Sequence, residues 1–238
     1  MRVSALASAI REDLLTVDGV RKVVLSRRTS AIYSSGAPAS HVYFLDSGLV
    51  KLERISDVNR EILVTVVASG DIFGEQAISG ESVFTSSARV LESGIAWSIP
   101  TDVFQRYCER RPDVWRLVVQ HLLRRNEELE RKIEHLCHSD VRERLLFYLQ
   151  DLARMMPSQD PSGSIIHISQ NELASLVGAT RETTSTTLNA MARRGLISLG
   201  HRMVMIPSME MLREAATTTN GGTRAGTGVT PFHTAASV

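Results

Sequence analysis

Residues 169–206 read SQNELASLVGATRETTSTTLNAMARRGLISLGHRMVMI. Ser169 and Glu172 stand three apart, the spacing at which each side chain reaches the other's backbone N–H and boxes in a helix start. A helix is therefore predicted from Gln170, burying Leu173, Leu176 and Val177. Gly178 supplies a turn, and Thr180 can cap a second helix from Arg181 to about Arg193. Leu188 and Met191 point inward along it, and Gly195 ends it. LISL and MVMI, on either side of Gly200 and His201, read as a two-stranded wing. Helix, glycine-centred turn, helix and wing make a winged helix-turn-helix.

The second helix of such a unit enters the major groove of double-stranded DNA, so its first turns face base edges. Thr180, Arg181, Glu182, Ser185 and Thr186 are the predicted base readers. An Arg can fork onto the two acceptors of guanine, and a carboxylate can accept from the cytosine amine. Glu182 equally suits the positive end of its own helix, a role that needs no DNA. Ser169, Arg193, Arg194, His201 and Arg202 are the predicted phosphate contacts, with an ordinary solvated face as the alternative. Four Arg against two Glu between 169 and 209 is a weak basic balance for a DNA binder. Affinity would then lean on avidity of a dimer and on base contacts more than on a broad positive field.

Towards the N-terminus, Asp140 can cap a helix whose apolar face is Val141, Leu145, Leu149, Leu152 and Met156, stopped by Pro157. PSQDPSGS reads as a loop and IIHI (165–168) as a short strand. Before them, Pro112 opens a long helix. Trp115, Val119, Leu122, Asn126, Leu129, Ile133 and Leu136 recur at steps of 4, 3, 4, 3, 4 and 3. That heptad seam predicts a two-stranded coiled coil, in which one buried Asn specifies register and oligomer state at some cost in stability. A helix packed only on its own domain would show a wider, less regular stripe.

From about Ile32 to Ile99 short runs rich in Val, Ile, Tyr and Phe follow one another: HVYFLDSG, LVKLERI, REILVTVVASG, SARVLESG, IAWSIP. Their spacing predicts an antiparallel sandwich or barrel. The first twenty-five residues have roughly helical spacing with Gly19 as a break. The chain has 238 residues, a formal net charge of +1, 43% hydrophobic residues and two cysteines, Cys108 and Cys137. These values exclude wholesale disorder, a polyionic tail protein and a disulfide scaffold. No apolar run reaches the ~20 residues of a membrane helix, and acidic residues follow the N-terminus too soon for a secretory signal. A cytoplasmic protein without membrane partners is expected. Residues 217–238 are mostly Thr, Gly and Ala and are expected to be disordered. There is no Walker-type loop and no G-x-S-x-G elbow, so an enzyme is not expected.

Over roughly 25–210 the chain resembles the CRP/FNR regulators, the cyclic-AMP receptor protein and the fumarate-nitrate reduction regulator. The residues that carry the resemblance are Gly36, HVYFLDSGLVKL with Gly48, GDIFGE with Gly70, Gly74 and Glu75, the hinge Asp140-Val141 followed by Arg144, and Thr180-Arg181-Glu182-Thr183. The resemblance implies an α+β fold in four parts. An N-terminal helix and antiparallel β-roll sensor would span 1–111, a dimerisation helix 112–139, a winged helix-turn-helix 140–216, and a tail 217–238. It further implies a homodimeric transcription regulator with an effector cavity in the roll and RNA polymerase as a partner. Gly74, Glu75, Phe84, Thr85 and Leu129 are the pocket candidates.

The departures from the family pattern carry as much. Members that bind cyclic AMP hold its phosphate with an Arg-Ser pair about a dozen residues after the Gly-Glu. Here FTSSARV puts Phe84 or Thr85 in that place, and Arg89 falls on a later strand. A cyclic phosphate needs a positive fork as well as backbone donors. Leu129-Glu130 replaces the Thr-Ser pair that meets the purine, so control by cyclic AMP is not expected. The oxygen-sensing branch ligates iron–sulfur with four cysteines, mostly near the N-terminus, and this chain has none before Cys108. The effector is left unknown, with cyclic-nucleotide control or a covalent change at Cys108 or Cys137 as alternatives. His135, Cys137 and His138 have metal-ligand spacing but sit at a helix junction where polar residues are ordinary, so no metal site is expected. Ser185 and Thr186 stand where members reading TGTGA-type half-sites carry a further Arg. Arg181 and Glu182 should therefore keep a G·C contact while the neighbouring preference is altered or relaxed.

Overall fold

The computed structural model describes residues 5–28, 31–56, 61–155 and 163–220. The chain opens with α1 (Ala5–Asp13), a 3-10 turn (Leu14–Thr16) and β1 (Arg21–Leu25). Helical spacing therefore holds only to Thr16. RKVVL is a strand because its β-branched pair completes a ladder, Arg21 opposite Ser98 through Leu25 opposite Gly94. β2 (Ala31–Tyr33), β3 (His41–Ile55), β4 (Glu61–Val67), β5 (Ile72–Phe73) and β6 (Ser87–Pro100) complete an antiparallel sheet ordered β1-β6-β3-β4, with β2 beside β6 and β5 beside β3. This is the predicted roll.

Two very long strands, β3 and β6, run through it and shift register at Ser47 and again at Leu49. Gly48 explains the fault. Its φ is +90°, and a Cβ there would lie 2.7 Å from the Glu92 carbonyl oxygen. Only glycine lets the two backbones approach so closely.

Helices α2 (Thr101–Arg110) and α3 (Pro112–His138) follow the roll. The sequence reading contains no counterpart of α2, which buries Val103, Phe104 and Cys108 against α1, β6 and the start of α3. After the Ser139–Asp140 break come α4 (Val141–Met155), β7 (Ser164–Ile166), α5 (Gln170–Val177), α6 (Arg181–Arg193), β8 (Ser198–Gly200), β9 (Met203–Ile206) and α7 (Met209–Asn220). Met156, Pro157 and most of the predicted loop lie outside the described residues. The wing has three strands rather than two, since β7 pairs with β9 from Ser164 opposite Ile206 to Ile166 opposite Val204. α7 continues through Asn220, four residues into the stretch expected to be a tail, and 221–238 lie outside the described residues.

Burial divides into three clusters. One fills the roll around Tyr33, Leu45, Phe73 and Phe84. A second joins α1, α2, the start of α3 and one end of the roll. The third unites α4, α5, α6 and the wing, and takes in Leu49, Leu63 and Leu91 from the roll. The helix-turn-helix therefore shares apolar packing with the sensor of the same chain. Leu49, Leu63 and Leu91 are the roll's buried share of that contact.

Candidate nucleic-acid interface and sensor

The capping box at Ser169 forms. Its Oγ accepts from the Glu172 N–H at 3.2 Å and donates to Glu172 Oε2 at 2.6 Å, while the Ser169 N–H donates to the same oxygen at 2.8 Å. The hydroxyl predicted to meet phosphate is thus already engaged with a carboxylate. Gly178 ends α5 in the left-handed region, φ +64°, and a Cβ there would strike Leu136 Cδ2 at 2.7 Å. Thr180 Oγ1 caps α6, accepting from the Thr183 N–H at 3.2 Å. Helix α6 buries Thr184, Leu188 and Met191 and leaves Arg181, Glu182 and Thr186 exposed, with Ser185 half-buried. Arg193, Arg194, His201 and Arg202 are exposed at the end of α6 and along the wing. Arg202 occupies a left-handed turn position, φ 54°, and its Nη2 lies 3.7 Å from Glu172 Oε2. Thr180, Arg181, Glu182 and Thr186 and four of the five predicted phosphate ligands are thus solvent-exposed.

The hinge is held by Arg144, a residue that entered the sequence reading only as part of a pattern. Asp140 and Glu143 form a second capping box: the Glu143 N–H donates to Asp140 Oδ1 at 2.8 Å, and the Asp140 N–H to Glu143 Oε2 at 3.0 Å. Arg144 is buried. Its Nε donates to the Val177 carbonyl at 2.7 Å and its Nη1 to the Ser139 carbonyl at 2.5 Å. One guanidinium thereby joins the end of the long helix to the end of α5.

The sensor grips the same helix. Lys51 Nζ sits between Glu53 Oε1, 2.5 Å, and Glu172 Oε1, 3.0 Å. Ser175 Oγ donates to the Glu61 carbonyl at 2.8 Å and accepts from the Leu63 N–H at 2.7 Å. Lys51, Glu53 and Ser175 carry no signal in sequence, because a Lys or Ser on an ordinary strand or helix reads as a solvated position.

Helix α3 has two faces. Val114, Val118 and His121 are buried against its own subunit, and Trp115 also turns inward, meeting Phe104 edge-on at 6.4 Å. Trp115 is therefore a predicted seam residue that its own subunit partly covers. The rest of the seam is uncovered: Val119 is 51% exposed and Ile133 61%, with Leu122, Leu129 and Leu136 in the same state. Asn126 donates through Nδ2 to Glu130 Oε1 at 2.7 Å, a bond on the exposed side of the helix.

On the inner face, His121 Nδ1 lies 3.5 Å from Asp71 Oδ1 and its Nε2 3.4 Å from Glu75 Oε1. Arg124 Nη2 pairs with Asp71 at 2.6 Å, and Arg125 with Glu75. Burial by itself lowers the His121 imidazole, but hydrogen bonds to Asp71 and Glu75 outweigh it and raise the group above the ordinary histidine value. Burial likewise pushes the Glu75 carboxyl up, and His121 and Arg125 overcome it to hold the group below the ordinary carboxylate value. Gly74 lies against Phe84, whose ring stacks on Tyr33 with centroids 3.9 Å apart, and Thr85 is hydrogen-bonded to Gln76. Leu129 is not part of this group. It lines a cavity between α3, β4 and α4, so the five predicted pocket residues do not converge. Cys108 is buried, its thiol pushed up to about 12 by burial, whereas Cys137 is exposed. Among the described residues no group of three or more His, Cys, Asp and Glu is placed to hold a metal ion, and no helix is long and apolar enough to cross a membrane.

A β-roll joined through one long helix to a winged helix-turn-helix defines a DNA-binding transcription regulator. Residues 24–111 match the cyclic nucleotide-binding domain and residues 143–215 the Crp-like helix-turn-helix domain. The CRP-like cAMP-activated global transcriptional regulator of Mycobacterium tuberculosis is 31% identical over 191 residues, 79% of this chain and 85% of that protein. The global nitrogen regulator of Synechococcus elongatus is 28% identical over 183 residues, covering 75% of this chain and 82% of the relative. A CRP-family transcriptional regulator of Thermus thermophilus shares the fold, with a TM-score of 0.69 and 24% identity over 83% of this chain and 96% of that one. The chain belongs to the CRP family of transcription regulators.

Proposed function

We propose that the chain is a cytoplasmic homodimer that reads a near-palindromic DNA site and acts on transcription through RNA polymerase, without control by cyclic AMP. The two α3 helices pair along Val119, Leu122, Asn126, Leu129, Ile133 and Leu136, the apolar row left bare by each subunit. The two α6 helices then occupy successive major grooves about 34 Å apart. Arg181 and Glu182 read a G·C step, helped by Thr180, Ser185 and Thr186, while Arg193, Arg194, His201 and Arg202 meet phosphates.

The observation that carries the effector part is Phe84. Phe84 or Thr85 stands where the phosphate-binding Arg is expected, and the Phe84 ring is 2% exposed and stacked on Tyr33. Arg89, the cation nearest in sequence, is engaged by Glu53 at 3.3 Å. Glu75 is engaged by Arg125 and His121. The roll interior does not fit a cyclic phosphate. A cyclic-AMP-controlled protein is the second reading, favoured by the Mycobacterium tuberculosis relative's name.

Selection from a randomised duplex pool, with and without cyclic AMP, separates the two. Enrichment of a two-fold-symmetric site without nucleotide supports the proposal, and enrichment only with cyclic AMP overturns its effector part. Arg181→Ala should cost about 1–3 kcal/mol on the selected site and relax preference at one base pair per half-site. Equal loss on all sequences would remove Arg181 from the base readers.

A further inference from the structure

We propose that the cavity between α3, β4 and α4, outside the roll, binds a small organic monocarboxylate whose carboxylate sits on the Lys132 ammonium. The cavity has a volume of about 160 Å³ and apolar walls from Leu129, Phe147, Leu152 and Leu176. Lys132 Nζ donates to the carbonyls of Leu63 at 2.6 Å and Val64 at 3.1 Å, and stands 5.9 Å from the Tyr148 ring centre. Both carbonyl partners are neutral, and among the described residues no carboxylate pairs with this ammonium. Burial alone pulls it down to about 8, so it is still a cation at neutral pH and lacks a counter-charge. A half-buried cation without one is costly, and a ligand carboxylate would supply it.

A second group on the same wall lacks a hydrogen-bond partner altogether. Tyr148 lines the cavity, is 9% exposed, and its hydroxyl is buried without a hydrogen-bond partner. Burial, and then Asp151, push that phenol up to about 12, so it keeps its proton and is a donor awaiting an acceptor.

Size and charge narrow the class. A cavity of about 150 Å³ takes a benzene-sized molecule. Glu128 and Asp151 stand on the same walls, each raised above its ordinary value by burial. Arg131 and Arg154 line the cavity too, so the two carboxyls are matched by two guanidiniums and the Lys132 ammonium is left to suit a single negative charge. The cavity joins the dimerisation helix, the edge strand of the sensor and the first helix of the DNA-binding domain, so occupancy would bear on how these three meet. That regulatory meaning rests on the function proposed above; the binding chemistry does not.

Benzoate is the probe, with benzyl alcohol as its neutral analogue and inorganic phosphate as the anion control. The full chain is titrated with each and followed by thermal midpoint and backbone amide shifts. Benzoate should bind with a dissociation constant of about 1 mM or tighter, within reach of a ligand of about nine non-hydrogen atoms. Its shifts should centre on Leu63, Val64, Lys132 and Tyr148 rather than on Phe84 and Tyr33. Lys132→Met should weaken benzoate about tenfold or more and leave benzyl alcohol within about twofold. Val66→Phe, which fills the cavity from β4, should abolish both. No benzoate binding by about 10 mM, shifts centred on the roll interior, phosphate binding as tight as benzoate, or benzoate affinity unchanged in Lys132→Met each overturns the site. The shift map on the unmutated chain decides the matter even if the variants fail to fold. DNA selection on the same samples keeps the two proposals apart: lost site selection with benzoate binding intact strikes only the regulator reading.

Discussion

Replacing Arg144 by Met keeps most of the aliphatic stem and removes the guanidinium that ties the Ser139 and Val177 carbonyls together. Hydrogen bonds from a charged donor contribute about 1.5–3 kcal/mol each, so two set an upper range of about 3–6 kcal/mol. The Ser139 carbonyl borders a half-buried hinge and can regain water, which favours the lower end, about 3 kcal/mol. That is a large share of the roughly 5–15 kcal/mol typical of a folded domain. The loss falls on one unit of a chain with more than one core, so a single melting curve would blur it. Native-state hydrogen exchange reads it locally. Amides of Leu173, Leu176 and Val177 should exchange about 100-fold faster, while Val42 and Phe44 in the roll should be unchanged. Arg106→Met, which breaks only an exposed pair with Asp102 on α2, should change nothing by more than about 0.5 kcal/mol. An effect of Arg144→Met below about 1 kcal/mol would refute the claim that this side chain holds the hinge to the helix-turn-helix.

Asn126→Ile should stabilise the helix pair and loosen its register, read as a tighter dimer in concentration-dependent melting; unchanged dimer stability and DNA response would count against the seam. His121, raised by Asp71 and Glu75 with Arg124 and Arg125 beside them, contributes stability that is complete below the ordinary histidine value and lost as pH rises through its raised value. His121→Gln should flatten that part of the pH–stability curve, and a curve of unchanged shape would show that the imidazole does not carry it. Iodoacetamide at mildly alkaline pH should label Cys137 and spare Cys108 in the native chain; fast double labelling would contradict the burial of Cys108.

Much of this molecule is readable from local pattern. The Ser169–Glu172 box, the Thr180 cap and the glycine between them act over three or four residues, so residue type and spacing determine them before any tertiary contact exists. The heptad row on α3 is equally local, since helical period alone decides which residues share a face. What period does not say is which of two faces is already taken: Trp115 belongs to the row by spacing and to its own subunit's core by contact with Phe104 of α2. β1 escapes local reading for a related reason. Residues 21–25 have no strong period, and only the partner segment 94–98 makes them a strand.

Short-range periodicity, caps and residue type thus suffice for the order of roll, long helix and winged helix-turn-helix, while the family resemblance marks Phe84 or Thr85 as a departure from a phosphate site. What joins the parts has no such local cause. Arg144 spans 33 positions to Val177, Ser175 112 positions to Leu63, and Lys132 69 positions to the same residue. A polar side chain has no period that announces a distant partner, and a cavity is a property of the surfaces that meet around it. The interdomain clasp and the Lys132 cavity therefore become visible only when the chain is folded.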